Sequence, residues 1–291
     1  MATAQPNPYQ ALGTWLADTW PLIVGLAVLA IPTAITLGGQ TWSTETGAQG
    51  PLVLFTGVWL LWRLAPEFRE QAVPGNPAIT AALLVLASAS YIFGRAYDFV
   101  TLEAAGVYGA GLAMLHSRIG ARVMLKNWFP FLYLAFVIPP PEYILVHLTA
   151  PLKQFVAKIS TEWLHAVGIP VAREGVTIFV AQYQLFVEDA CSGMNSILGI
   201  VAITLLYIYL SRGSSWLYSV ILTGFAIPIA IVANIFRIMT LILLTYFYGD
   251  AVAQGFLHYT AGFFLFGIAL ILVFLLDRLF AYIGPKLRRA A

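Results

Sequence analysis

Charge is what this chain has least of. Asp, Glu, Lys and Arg make up 10% of its 291 residues, and 60% are apolar. Soluble domains carry about 25% charged residues. A chain this poor in charge cannot cover a water-facing surface, so a soluble domain is excluded. The net charge of +2 is too small and too scattered for a nucleic-acid face, and no nucleic-acid partner is expected. Cysteine is next in scarcity. Cys191 stands alone, which excludes an internal disulfide and a cysteine-built metal cluster. There is no His-Glu-x-x-His for a zinc protease, and no Gly-x-Ser-x-Gly. No metal or other cofactor is expected. No internal repeat is visible, whereas many transporters show one. Lys and Arg are missing before the first apolar run, so the N-terminus is not expected to be a cleaved signal peptide.

Long apolar runs are what the chain does have. A bilayer crossing takes roughly 20 apolar residues, and eight runs qualify as spans. After a polar, surface-lying 1–19 they are about 20–37 (broken by Pro32), 51–64, 78–93, 99–115, 128–138, 191–210, one within 216–248, and 253–276. Charged loops are expected at 63–74 and from Arg118 to Lys126. The 216–248 run is longer than one crossing needs. It reads either as one tilted helix or as a helix plus a re-entrant piece, with Pro228 as a kink. Glu103 and Arg237 are the clearest charges inside apolar runs.

Between the fifth and sixth spans the pattern changes. From 151 to 167, Leu152, Phe155, Val156, Ile159 and Trp163 recur at helical spacing with Lys153, Lys158 and Glu162 between them. This reads as an amphipathic helix lying on the membrane. Near Gly168 the period drops to two, and 169–172, 176–180 and 183–187 read as strands joined by turns at 173–175 and 181–182. Open sheet edges are not tolerated in lipid. The expected fold is therefore an all-α polytopic membrane protein of about eight transmembrane helices. It forms one integral domain over 1–291, with an extracytoplasmic cap of amphipathic helix and β-meander at 142–190.

Most basic residues fall on one side if both termini are cytoplasmic: Arg63, Arg69, Arg118, Arg122, Lys126, Arg212, Arg278, Lys286, Arg288 and Arg289. The positive-inside rule selects that topology. It puts the cap, Cys191 and His258 on the outer face, with Arg237 toward it. One thiol, one imidazole and one guanidinium on successive long segments form a kit for thiol-based acyl transfer. A thiolate attacks a carbonyl, an imidazole moves protons, and a fixed cation steadies the oxyanion. A helix start favours the thiolate. Glu188 and Asp189 oppose it, unless Asp189 caps the helix. Asn234, three residues before Arg237, shares its helix face.

Ala190-Cys191-Ser192-Gly193, then Asn234-Ile235-Phe236-Arg237-Ile238, then His258 with Gly262 downstream, resembles the exosortase/archaeosortase family over most of the chain. The resemblance implies a transpeptidase that resembles sortases in chemistry but not in fold. Such an enzyme takes proteins with a C-terminal sorting tail: a Pro-Glu-Pro-type motif, a transmembrane helix and a basic end. It cuts near the motif and passes the protein to a surface acceptor, lipid- or polysaccharide-linked. The resemblance makes Cys191 the nucleophile, His258 the general acid/base and Arg237 the transition-state stabiliser. Glu188, Asp189, Ser192, Gly193, Asn195 and Asn234 are then supporting residues. It also implies a bacterial inner membrane with the site facing the periplasm. Two other readings stay open: a membrane cysteine endopeptidase with water as acceptor, and a non-enzymatic lipid or polysaccharide transporter or scaffold.

The topology has a direct test. A membrane-impermeant thiol reagent is expected to label Cys191 from the outer face of intact cells. Labelling only from the cytoplasmic side would reverse the orientation.

Overall fold

The computed structural model describes residues 8–43, 47, 49–186, 196–210, 216–259 and 261–283. Among these are ten α-helices and one three-stranded sheet. Three stretches are long and apolar enough to cross a bilayer: Trp20–Trp42, Pro77–Ala96 and Ile227–Tyr248. The structure thus establishes three of the eight expected spans by length and apolarity. The chain divides into two compact units, residues 1–40 with 60–131, and 41–59 with 132–291.

In the first unit, helix α1 (Pro8–Leu37) runs unbroken through Pro21 and Pro32 and ends in a π-helical turn, Gly38–Trp42. The expected break at Pro32 is absent. A proline costs one backbone hydrogen bond, and an apolar helix absorbs that by local adjustment. Helix α2 (Gly50–Gln71) continues through Pro66, and α4 (Val100–Lys126) resumes through Arg122 after a kink at Gly120, whose backbone is not helical (φ 72, ψ 163). The expected loops at 63–74 and 118–126 are therefore largely helical. Arg, Lys and Glu are good helix formers, so loss of apolarity there does not end the helix. Lys126 donates to Glu67 Oε1 at 3.0 Å. That hydrogen bond holds the Glu67 carboxyl below its ordinary range.

Helix α3 (Pro77–Ala96) starts from Asn76, whose side chain accepts from Ala78 N at 2.9 Å, with Pro77 at the first helical position. Both features are favoured there, the cap because it satisfies an orphan N–H and the proline because it has none to lose. Helices α3 and α4 pack as a close hairpin. A Cβ at Gly94 would strike the backbone of Glu103, and one at Gly106 would lie 2.6 Å from Tyr91 N. Small residues let membrane helices approach to backbone contact. Glu103 is buried in the first turn of α4. It accepts from Thr33 Oγ1 at 2.9 Å and from Arg95 Nη1 at 3.1 Å. Arg95 Nη1 also donates to Thr36 Oγ1 at 2.8 Å. A carboxylate removed from water needs such donors, and these tie three helices together.

In the second unit, α5 (Trp128–Ala135) brings Tyr133 to Thr56, hydroxyl to hydroxyl at 2.8 Å. Helix α6 spans Glu142–Ala166 with Pro151 inside, so it begins nine residues before the expected 151. Then come β1 (Val171–Glu174), β2 (Thr177–Val180) and β3 (Tyr183–Phe186), an antiparallel meander in the order β1-β2-β3. The expected strands are present. The first turn is Gly175-Val176, shifted from the expected 173–175 because Glu174 pairs with Thr177. Gly175 (φ 60) and Ala181 (φ 51) open the two hairpin turns, a positive φ that type II′ turns require at that position.

Helices α7 (Ser196–Leu210), α8 (Trp216–Tyr248), α9 (Asp250–Tyr259) and α10 (Ala261–Ile283) complete the unit. The 216–248 run is one helix through Pro228, about 50 Å long. The cap packs on its C-terminal half. Val156, Ala157 and Leu164 of α6, Ile178 and Val180 of β2, and Leu185 of β3 meet Ile235, Ile238, Leu241 and Ile242 of α8. On α6 a face beside the stripe expected to lie on the membrane is buried in the protein. Val156, Ala157, Ser160, Thr161 and Leu164 are buried, while Phe155 and Trp163 are 48% and 55% exposed.

The glycine contacts predict opposite outcomes for one substitution. Gly106→Ala should cost about 1–3 kcal/mol through overpacking. Gly111→Ala, on the same helix with nothing within 4 Å, should gain up to about 1 kcal/mol in helix propensity. Thermal unfolding in detergent reads both.

Candidate active site

Arg237 is 1% exposed, and no described residue so deeply buried has a larger side chain. Its place follows from the two faces of α8. Ile235, Ile238 and Ile242 face the cap. Ile229, Ala230 and Ala233 pack against Ile200 of α7 and Val273 of α10. Arg237 is four residues beyond Ala233, so it continues the second stripe, toward α7 and α10. Asn234, also 1% exposed, lies about 60° round the helix from it, between the two faces. Arg237 Nε and Asn234 Oδ1 make no hydrogen bond among the described residues, although both side chains have other interactions.

The neighbours can be aligned by height. The rings of Phe225 on α8 and Phe280 on α10 meet edge to face, 5.5 Å apart. Further along, the Ile229–Ala233 stretch meets Val273, so residue numbers fall on α10 as they rise on α8. The two helices are antiparallel. Twelve residues past Phe225 is Arg237, and twelve residues before Phe280 is Ile268. On α7, Ile200 lies with Val273, and Tyr207 Oη donates to Asp277 Oδ2 at 2.8 Å. Helix α7 therefore runs parallel to α10. At about 1.5 Å per residue, Arg237, Ile268 and the first turn of α7 fall at one level.

The outcome for the expected site residues is uneven. Arg237 and Asn234 are buried on α8, Arg237 at the level of Ile268 on α10 and of the first turn of α7. Cys191, Glu188, Asp189, Ser192, Gly193 and Asn195 lie outside the described residues. The backbone of His258 belongs to α9, which ends just before α10, and its side chain is not among those described. Cys191 thus precedes α7 and His258 precedes α10 in the chain, and both helices start at the end of the bundle where Arg237 lies.

Two residues escaped the sequence reading. Ser160 on α6 is fully buried among the residues facing α8, and its Oγ has no hydrogen-bond partner among the described residues. Its spacing of four from both Val156 and Leu164 was the signal for it. Tyr183 of β3 has its hydroxyl 3.5 Å from where a Cβ on Gly249 would stand. Gly249 (φ 84) forms the corner between α8 and α9, a left-handed conformation suited to glycine. No sequence signal joins those two residues. Among the described residues no group of His, Cys, Asp and Glu is arranged to hold a metal ion.

The model of the transmembrane exosortase family (Exosortase_EpsH) matches residues 41–275. That is most of the chain. The protein belongs to the transmembrane exosortase family. No curated protein and no solved structure matches it. Exosortases are a family of membrane cysteine transpeptidases, and with its apolar helices this member is a membrane protein. The matched stretch takes in the cap and helices α7 to α9 whole.

The register of α7 against α10 can be checked away from Arg237. Tyr207→Phe removes the donor to the buried Asp277 carboxylate and should cost about 1–3 kcal/mol. Thermal unfolding is the readout. An unchanged midpoint would show that the two helices are not paired at this level.

Proposed function

We propose that this exosortase-family protein cleaves a C-terminal sorting tail through a thioester at Cys191 and transfers the protein to an acceptor. The observation that carries the reading is Arg237. A guanidinium buried in an apolar helix is expensive to keep, about 2.5–3.5 kcal/mol even on the lenient insertion scale. It lies on the stripe of α8 directed at the two helices that follow Cys191 and His258 in the chain. A cation at that cost is expected to face a polar reaction site.

In the proposed reaction His258 takes the proton from the Cys191 thiol. The thiolate sulfur attacks the carbonyl carbon at the sorting motif, and the carbonyl oxygen becomes an oxyanion opposite Arg237. The C–N bond then breaks, and His258 returns the proton to the departing amine, which leaves with the membrane helix of the tail. The thioester is opened by an amine or hydroxyl on a lipid- or polysaccharide-linked acceptor, which restores the thiol. Water in the acceptor's place gives plain hydrolysis by the same groups. Arginine suits its part because it stays charged at every relevant pH while His258 titrates. Asn234, Glu188, Asp189, Ser192, Gly193 and Asn195 are proposed to support the site.

The depth of the site fits a tail that arrives through lipid. The stretch of α8 apolar enough to cross on its own is Ile227–Tyr248, with Arg237 near its middle. Sheet edges are not tolerated in hydrocarbon, so the crossing is proposed to be shifted toward the N-terminal half of α8, with the part coated by the cap rising out of it. The length of α8, about 50 Å, allows a crossing of about 30 Å and a further projection. Arg237, between the cap-facing Ile235 and Ile238, then lies near the outer headgroups. The proposed setting is a bacterial inner membrane with the site facing the periplasm.

Co-expression with a tagged protein bearing a Pro-Glu-Pro-type tail tests the reading. Processing is expected with the wild type and absent in Cys191→Ala. Arg237→Lys should keep expression and lose about 10²–10³-fold in rate, the cost of one oxyanion donor. The mass of the new terminus separates transfer from hydrolysis. Processing that survives Cys191→Ala, or a near wild-type rate in Arg237→Ala, would refute the mechanism.

A further inference from the structure

The cap's sheet has two edges, and the structure treats them differently. Two-residue loops join its strands, so the residues flanking each loop form hydrogen-bonded pairs, and pairing alternates from there. Val180 pairs with Tyr183 beside the loop, and Ile178 with Leu185. Tyr183 and Leu185 therefore spend their backbone groups on β2. The N–H and C=O of Gln184 and Phe186 point the other way, out of the sheet. By the same alternation Val171 and Arg173 carry the outward groups of β1.

The β1 edge is engaged at its first residue, while Ala172, Arg173 and Glu174 are exposed. Val171 N already donates to Ile169 O at 2.9 Å, and α6 packs against that strand. The β3 edge carries no such bond among the described residues. Its inner face is anchored by Leu185 in the core with α6 and α8. Gln184 is exposed. Tyr183, at the start of the strand, stands by the Gly249 corner that leads into α9. In the chain, Cys191 follows the end of β3 by five residues.

We infer that the outward edge of β3, through the backbone of Gln184 and Phe186, receives the substrate's cleavage segment as an added strand. This rests on the transpeptidase reading. A peptide bond presented for attack must be extended, since a helix buries its backbone in its own hydrogen bonds. A free edge recognises an extended chain through main-chain bonds, and alternate side chains then supply selectivity. An edge left open also invites unwanted pairing, so a strand that ends five residues before the nucleophile is a risk unless it has an occupant. The occupant is the stretch of the tail just before its membrane helix.

The test uses the full-length protein in membranes, with Cys191→Ala and Gln184→Cys combined. The probe is a tagged protein with a Pro-Glu-Pro-type tail, a membrane helix and a basic end. Single cysteines are placed at successive positions before that helix. Disulfides to residue 184 are expected at alternate tail positions, the period of a paired strand. A repeat of three to four, or no disulfide at any position, would overturn the inference.

A second arm uses the wild-type nucleophile. Gln184→Pro removes an outward N–H and leaves the β2 ladder intact, a place where sheets tolerate proline. It should raise KM for processing about tenfold with kcat unchanged. Gln184→Ala should change neither, because only the backbone is used. An unchanged KM in Gln184→Pro would also overturn the inference. Processing without periodic disulfides would defeat strand addition and leave the chemistry standing. Periodic disulfides without processing would defeat the chemistry and leave the docking standing.

Discussion

A buried guanidinium constrains this half of the molecule. Arg237 cannot be neutralised at any relevant pH, so a helix that carries it through apolar surroundings must keep it from lipid. Helix α8 does this with two apolar faces. One receives the cap through Ile235, Ile238 and Ile242. The other receives α7 and α10 over Ala230 and Ala233. These alanines are small enough for close approach, and the arginine follows them at the level where α7 begins. Residues that bury the cation and residues that direct it therefore belong to the same stripe.

The cap is tied to the same helix. Its sheet is too small to stand alone, because a few short strands need a partner surface for stability. That surface is formed by α6 and α8 together, against the face that carries Ile178, Val180 and Leu185. Residues of β2 and β3 therefore share one buried cluster with Ile238, the residue after Arg237. The edge of β3, the corner at Gly249 and the buried arginine are parts of one packed unit, residues 41–59 with 132–291. In the first unit Glu103 has a comparable role, with Thr33, Arg95 and Thr36 meeting one buried charge and its partner.

Strand positions were legible because period two is a local property. Ile178, Val180 and Leu185 alternate with exposed or half-exposed neighbours, and that alternation can be read without any partner. The turn was misplaced because the pairing of Glu174 with Thr177 is not local. The helix end was read too early at Arg63, whereas the one near Arg118 falls beside the kink at Gly120. Hydropathy reports what a side chain prefers to touch, and those side chains are compatible with helix in water or at an interface. On α6 the sequence pattern named Phe155 and Trp163, which are exposed, and passed over Ser160 and Thr161, which are small and buried.

By itself the sequence determined the membrane class, the strand-forming segment after Gly168, the family motifs around Cys191, Arg237 and His258, and the cost of an arginine in an apolar run. Each is a matter of composition, local period or local spacing. The tertiary structure alone decided which face of α8 Arg237 occupies and that α7 and α10 run parallel to each other against it. Those depend on contacts such as Phe225 with Phe280 and Tyr207 with Asp277. Side chains far apart in the chain carry no mark of one another until packing brings them together.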